Sequence, residues 1–93
     1  MKVEWTSRAL RDKDDTFLYI APHDVAAAFR LDALFDEAAA RLAEFPDLGH
    51  TGAIPGTREI LAHRSYRLVY EVRDNTVWIL TVVHTARHWP PVG

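Results

Sequence analysis

The stretch HTARHWP, residues 84–90, places His84, Arg87, His88 and Trp89 within seven positions. Imidazoles titrate near neutral pH and exchange protons, and a guanidinium holds a phosphate or carboxylate through paired hydrogen bonds. The segment therefore has the side chains of an acid–base or anion-binding site. A second guanidinium, Arg67, lies inside YRLVYEV, where strand alternation turns it to the face opposite Tyr66 and Tyr70. Arg67 and Arg87 on one open face would grip a phosphodiester and stabilise charge developing on it. Paired instead with Glu59 and Glu71 across strands, they would contribute only about 0.2–1 kcal/mol each. Taken alone, the residues favour that plainer pairing.

Other chemistries find less support. His63 with Arg64 at a strand end offers a second acid–base pair, against the plainer reading of two exposed polar residues flanking a turn. His84 and His88 are four apart, a spacing that converges on a helix, but they follow a strand and no third ligand is apparent, so no metal is expected. PGTRE, residues 55–59, lacks the glycine spacing and lysine of a Walker loop and precedes a strand, which excludes nucleotide binding of that kind. No G-x-S-x-G elbow is present, and without cysteine there is neither a disulfide framework nor a thiolate zinc site. No cofactor is expected.

The elements that position these residues follow from periodicity. Val3 and Trp5 alternate with polar neighbours as a short first strand. Thr6 or Ser7 can cap a polar helix over RALRDKDDTFLYIA, with Leu10, Phe17, Leu18 and Ala21 near one stripe, ended by Pro22. Asp24 caps a longer helix to about Phe45, where Ala28, Leu31, Phe35, Ala38, Leu42 and Phe45 recur at spacings of three and four. The short link between the two predicts an antiparallel helical hairpin. Residues 46–57, with two prolines and three glycines, read as a loop. Strands over Arg58–His63, Tyr66–Arg73 and Thr76–His84 follow, the last two joined by an Asp74-Asn75 primed turn. The expected fold is α+β in the order β-α-α-β-β-β, a helical hairpin on one face of a small antiparallel sheet of about four strands. On the other face, Val69 and Trp78 or Leu80 are expected to look outward.

Ninety-three residues make a single domain, 1–93, with one core. Apolar residues at 48% and charged ones at 26% mark a folded globular chain. No segment reaches membrane-spanning length, MKVEWTSRAL has charges where a signal peptide is apolar, and a cytoplasmic location is the expectation. The net charge of −2 hides an asymmetry. Residues 1–47 hold six Lys/Arg against ten Asp/Glu, whereas residues 48–93 hold five arginines, Arg58, Arg64, Arg67, Arg73 and Arg87, against three acids.

Taken together, FPDLG, PGTREIL, YRLVYEV and VWILTVVHTARHWP resemble the RelE/ParE superfamily of type II toxin–antitoxin toxins over essentially the whole chain, and the inferred element order is that superfamily's. The resemblance implies a growth-inhibiting toxin neutralised by a cognate antitoxin, which would cover the open sheet face and the hairpin and would alone contact operator DNA. RelE-like members cut mRNA on the ribosome with basic residues and a Tyr or His near the C-terminus. ParE-like members poison DNA gyrase. Here LGHTGAIPGTRE offers only His50 and Arg58 where the nucleases carry several cations, the terminal tyrosine is absent, and the net charge is negative. The ParE branch and a gyrase target are therefore preferred, with Arg58, Arg64, Arg67, Arg87 and Trp89 as target contacts and Arg87 foremost. Under the nuclease alternative, His84 or His88 is the acid–base group and Arg67 with Arg87 the phosphate clamp. A degenerate toxin that only binds its antitoxin is a third reading.

Overall fold

The computed structural model describes residues 1–91. Seven elements follow one another: β1 (Lys2–Trp5), α1 (Ser7–Ile20), α2 (Val25–Glu44), β2 (His50–Thr51), β3 (Arg58–His63), β4 (Tyr66–Arg73) and β5 (Thr76–His84). The strands form one sheet in the order β1-β5-β4-β3-β2, with the two helices packed against it as a hairpin. The α+β architecture is as expected, and two details differ. The sheet has five strands, because His50–Thr51 pairs with Arg58–Glu59 inside the region read as loop. It is also mixed: β1 runs parallel to β5, with Lys2 opposite Thr76 and Trp5 opposite Ile79. Alternation in KVEW fixes which residues face the helices but carries no information about strand direction.

The second helix forms where the apolar spacing places it. Asp24 Oδ1 accepts from the Ala27 N–H at 3.0 Å, satisfying one of the donors the first turn leaves free. Ala28, Leu31, Phe35, Ala38 and Leu42 are buried, the last four against Leu68, Tyr70, Val77, Ile79 and Val82 of the sheet. Phe45 leaves the stripe and is 59% exposed. At φ −129°, ψ 76° its backbone has already departed from the helix ahead of Pro46, so its side chain no longer follows the helical rotation.

The first helix is different. Its inward stripe is Ala9, Asp12, Lys13, Thr16, Phe17 and Ile20, and only Ala9 is fully buried. Leu10 and Leu18, expected to face inward, lie off this stripe and are 48% and 67% exposed. Polar groups hold the helix instead. Thr6 caps it, accepting from the Ala9 N–H at 3.1 Å and donating to the Leu80 carbonyl at 3.0 Å. Asp12 accepts from the Thr81 hydroxyl and from the Val82 N–H. These contacts complete the edge of β5 beyond Ile79, where β1 ends and a register shift interrupts its pairing with β4. Lys13 reaches Asp32 and Asp36 of α2 at 3.1 and 3.3 Å. Burial pushes the Lys13 pKa down, but the hydrogen bonds and charges of the two aspartates outweigh it and leave it raised. Between β4 and β5, Asp74 and Asn75 adopt φ values of 53° and 57°, as a primed turn requires. No helix among the described residues is long and apolar enough to cross a membrane.

Candidate functional site

Beyond β5 the chain turns back over the face of the sheet opposite the hairpin, and there it meets Glu59. This carboxylate sits on β3 with its side chain 3% exposed. Its Oε1 accepts from Arg67 Nη1 at 2.8 Å, and its Oε2 accepts from the Ala53 N–H at 3.0 Å and from Trp89 Nε1 at 3.2 Å. Burial pushes the Glu59 pKa up, but these donors, the Ala53 N–H first and then Arg67, outweigh it and hold the carboxyl below its ordinary value. The loop around it is shaped to fit. Gly52 donates to the Thr57 carbonyl at 2.8 Å, Gly56 takes φ +84°, and a Cβ on Gly52 would run into the Thr57 hydroxyl and crowd Glu59 Oε2. Val69, expected to look outward, is 1% exposed because it stands in register beside Glu59 on the face that the loop and the C-terminal segment cover.

Upstream, Tyr70 fixes the start of the same loop. Its hydroxyl donates to the Pro46 carbonyl at 2.7 Å and accepts from the Gly49 N–H at 2.9 Å. Burial raises the phenol pKa despite the Gly49 bond and the charge of Arg58. Arg58 itself donates to the Gly49 carbonyl at 2.8 Å, so it ties the loop to β3 rather than standing free.

On the hairpin side a groove of about 500 Å³ opens between α1 and the end of β5, lined by Asp12, Asp15, Tyr19, Tyr66, His84 and Arg87 among others. His84 stacks edge-on against Tyr66, with ring centroids 4.9 Å apart. Its Nδ1 accepts from the Ala86 N–H at 3.0 Å, so the neutral ring carries its proton on Nε2. His63 repeats this arrangement, accepting from the Ser65 N–H at 3.0 Å. A second groove of about 370 Å³, with Arg30, Leu31, Leu34 and His63 in its walls, shares Tyr66 and His84 with the first. Burial, and next to it the phenol of Tyr19, raises the Tyr66 pKa.

The expected site residues are thus divided between the two faces. His84 and Arg87 come together in the hairpin-side groove, while Arg67 is bound to Glu59 on the opposite face, so the two guanidiniums do not form a common clamp. Arg64 is exposed in the β3–β4 turn, and His88 is exposed beyond Arg87. Trp89 is half-buried with its indole N–H turned inward to Glu59. Glu71 pairs with Arg73 at 3.2 Å rather than with Arg67 or Arg87. Glu59 was legible only as a cross-strand partner for arginine. Tyr19, Tyr66 and Asp12, which wall the groove, carry no local signal that marks them.

The chain matches a family model described as the ParE toxin of the type II toxin–antitoxin system parDE over residues 3–89. It is 41% identical over 92 residues to Y4kP of Sinorhizobium fredii, spanning 98% of this chain and 95% of that relative. Toxin RelE2 of Caulobacter vibrioides is 36% identical over 86 residues, covering 92% of this chain and 97% of the relative. Among solved structures, a chain of the chromosomal ParDE system of P. aeruginosa superposes with a TM-score of 0.80 at 19% identity, covering 90% of this chain and 95% of that one.

Proposed function

The chain belongs to the ParE toxin family of type II toxin–antitoxin systems, and from that premise we propose that it arrests growth by poisoning DNA gyrase and is held in check by a cognate antitoxin. The observation that carries the gyrase target is the family match over residues 3–89. The state of Arg67 supports it: its charge is committed to Glu59, so the residue that a nuclease would use on phosphate is already neutralised. The target contacts are then Arg87 and, around the same end of the sheet, Arg64, both exposed. Gyrase and the ribosome are cytoplasmic, and the protein acts there. Incubating the purified chain with gyrase and supercoiled DNA should yield trapped cleavage complexes, and their absence at saturating toxin would sink this target.

The family implies an antitoxin partner. Exposed apolar side chains gather on the outside of the hairpin, Leu18, Val25 and Phe29 being 67%, 56% and 62% exposed. A partner segment with apolar anchors would bury them. The antitoxin alone is expected to contact operator DNA.

A second reading, a ribosome-dependent mRNA endonuclease, is favoured by one specific arrangement: His84, with its proton directed to Nε2, lines the same groove as Arg87 and Tyr66. The relative named RelE2 gives it added weight. Pulse-labelling after induction separates the two. Arrest of DNA synthesis first supports gyrase; arrest of protein synthesis with codon-phased mRNA ends replaces it with the nuclease.

A further inference from the structure

The segment that carries Arg87 is attached at two points. Its root is a set of bonds within the 84–87 turn and to the neighbouring β3–β4 turn. Thr85 N–H donates to the Ser65 carbonyl at 2.8 Å, Arg87 N–H to the His84 carbonyl at 2.9 Å, and the Ala86 N–H to His84 Nδ1 at 3.0 Å. Beyond Arg87, among the described residues, the polar contact back to the body of the protein is the bond from Trp89 Nε1 to Glu59 Oε2 at 3.2 Å. Arg87 lies between these points, two residues from the indole, with its side chain at the mouth of the hairpin-side groove.

We propose that Glu59 is a positioning residue for target recognition: its buried carboxylate latches Trp89 to the sheet and so fixes where Arg87 is presented. Three segments meet on this one group, the 52–57 loop through Ala53, β4 through Arg67 and the C-terminal segment through Trp89. Arg67 supplies the counter-charge that lets an ionised carboxylate remain in a dry place. The one donor of Trp89 is then spent inward, which leaves only its ring to meet a target. The target-recognition half of this inference rests on the gyrase reading proposed above; the latch itself does not.

Two variants dissect the latch. Trp89→Phe keeps an aromatic ring, though a smaller one, and removes the donor. Glu59→Gln keeps the shape but converts one acceptor oxygen into an amide donor, so Arg67 and the two N–H groups can no longer all be served. Trypsin cutting of the Arg87–His88 bond in the native protein, followed by mass spectrometry, reports release of the segment. Solvent exchange of the Trp89 indole proton, seen by 15N-edited NMR, reports the bond itself in wild type and in Glu59→Gln. Cleavage should accelerate about tenfold or more in either variant, the factor expected for losing a hydrogen bond to a charged group, and the double variant should cut no faster than the faster single one. Unchanged cleavage in Trp89→Phe, with a rapidly exchanging Trp89 indole in wild type, overturns the latch. Should Glu59→Gln fail to fold, Trp89→Phe alone decides.

Potency in trapping gyrase-cleaved DNA is measured on the same proteins. Release of the segment with loss of potency matching that of Arg87→Ala supports the positioning role, and release with undiminished potency overturns it. A wild-type protein that traps no gyrase refutes the gyrase target, and with it the recognition half of the inference, while the proteolysis and exchange data still stand or fall on the latch alone.

Discussion

The two faces of the sheet near the end of β5 carry the same kinds of group and treat them in opposite ways. On the face opposite the hairpin, Glu59 and Arg67 meet at 2.8 Å, and both oxygens of the carboxylate are occupied. On the hairpin face, His84 and Arg87 line a groove beside Asp12 and Asp15, and no ion pair holds Arg87 among the described residues. The difference lies in the solvent. A charge in a dry place has to be matched by its neighbours, and once matched it has little left to offer a ligand. A charge in a wet groove costs little to leave unmatched, and so stays available. Residue type alone does not separate the two cases, since arginine is common to both.

The contrast between the two faces depends most on Arg67. Arg67→Ala should destabilise the fold by up to about 3–5 kcal/mol, because it leaves Glu59 buried without its counter-charge; the value should fall toward the lower end, since the guanidinium is 28% exposed. Replacing both partners, as in Glu59→Met with Arg67→Met, should cost less than the sum of the two single Met changes, and urea unfolding of these three variants checks this. Equal losses for the double and the sum of the singles would mean that the pair is not coupled.

Next in size is the anchor of the loop. Tyr70→Phe removes the acceptor of the Gly49 N–H and the donor to the Pro46 carbonyl, for an expected loss of about 1–3 kcal/mol in the same assay. Gly49→Ala should be harmful by a different route, since a Cβ there would come within 2.7 Å of the Glu59 carbonyl and 2.8 Å of the Tyr70 ring.

A change of pH sharpens the contrast without mutation. The Glu59 carboxyl is held below its ordinary value in the folded protein, so on acidification the unfolded chain takes up its proton first. Its contribution is complete above the unfolded value, about 4.3, and is lost as pH falls through the folded one. Stability measured between about pH 2.5 and 5 should fall more steeply in wild type than in Glu59→Gln. Arg87→Ala should have the smallest effect on folding, within about 0.5 kcal/mol, while reducing toxicity. A large stability loss there would place Arg87 with Arg67 among the structural charges.

How much was legible in the sequence follows from the same physics. The second helix could be read because Ala28, Leu31, Phe35, Ala38 and Leu42 are apolar at helical spacing and are buried as that spacing demands. The Asp74-Asn75 turn could be read because few residues accept positive φ. The first helix could be read as an element between its Thr6 cap and Pro22, but its inward face could not, because that face includes Asp12 and Lys13, whose partners Thr81, Val82, Asp32 and Asp36 lie far away in the chain. The Leu10 and Leu18 side chains mimic a stripe that the packing does not use. At the site, Arg67 with Glu59 was foreseeable from strand pairing. The bond from Trp89 was not, since it joins an aperiodic segment to a strand 30 residues earlier.

The parallel pairing of Lys2 with Thr76 has a consequence in time. β1 finds its partner only when β5 has been made, roughly 4–15 s later at about 5–20 residues per second. For the latter half of that interval α2 is complete but lacks the central strand of its floor, and its stripe of Leu31, Phe35 and Leu42 stands open. A nascent chain of this design carries an uncovered apolar stripe through much of the second half of its synthesis, and its assembly is dominated by one late, long-range closure of the kind that slows folding.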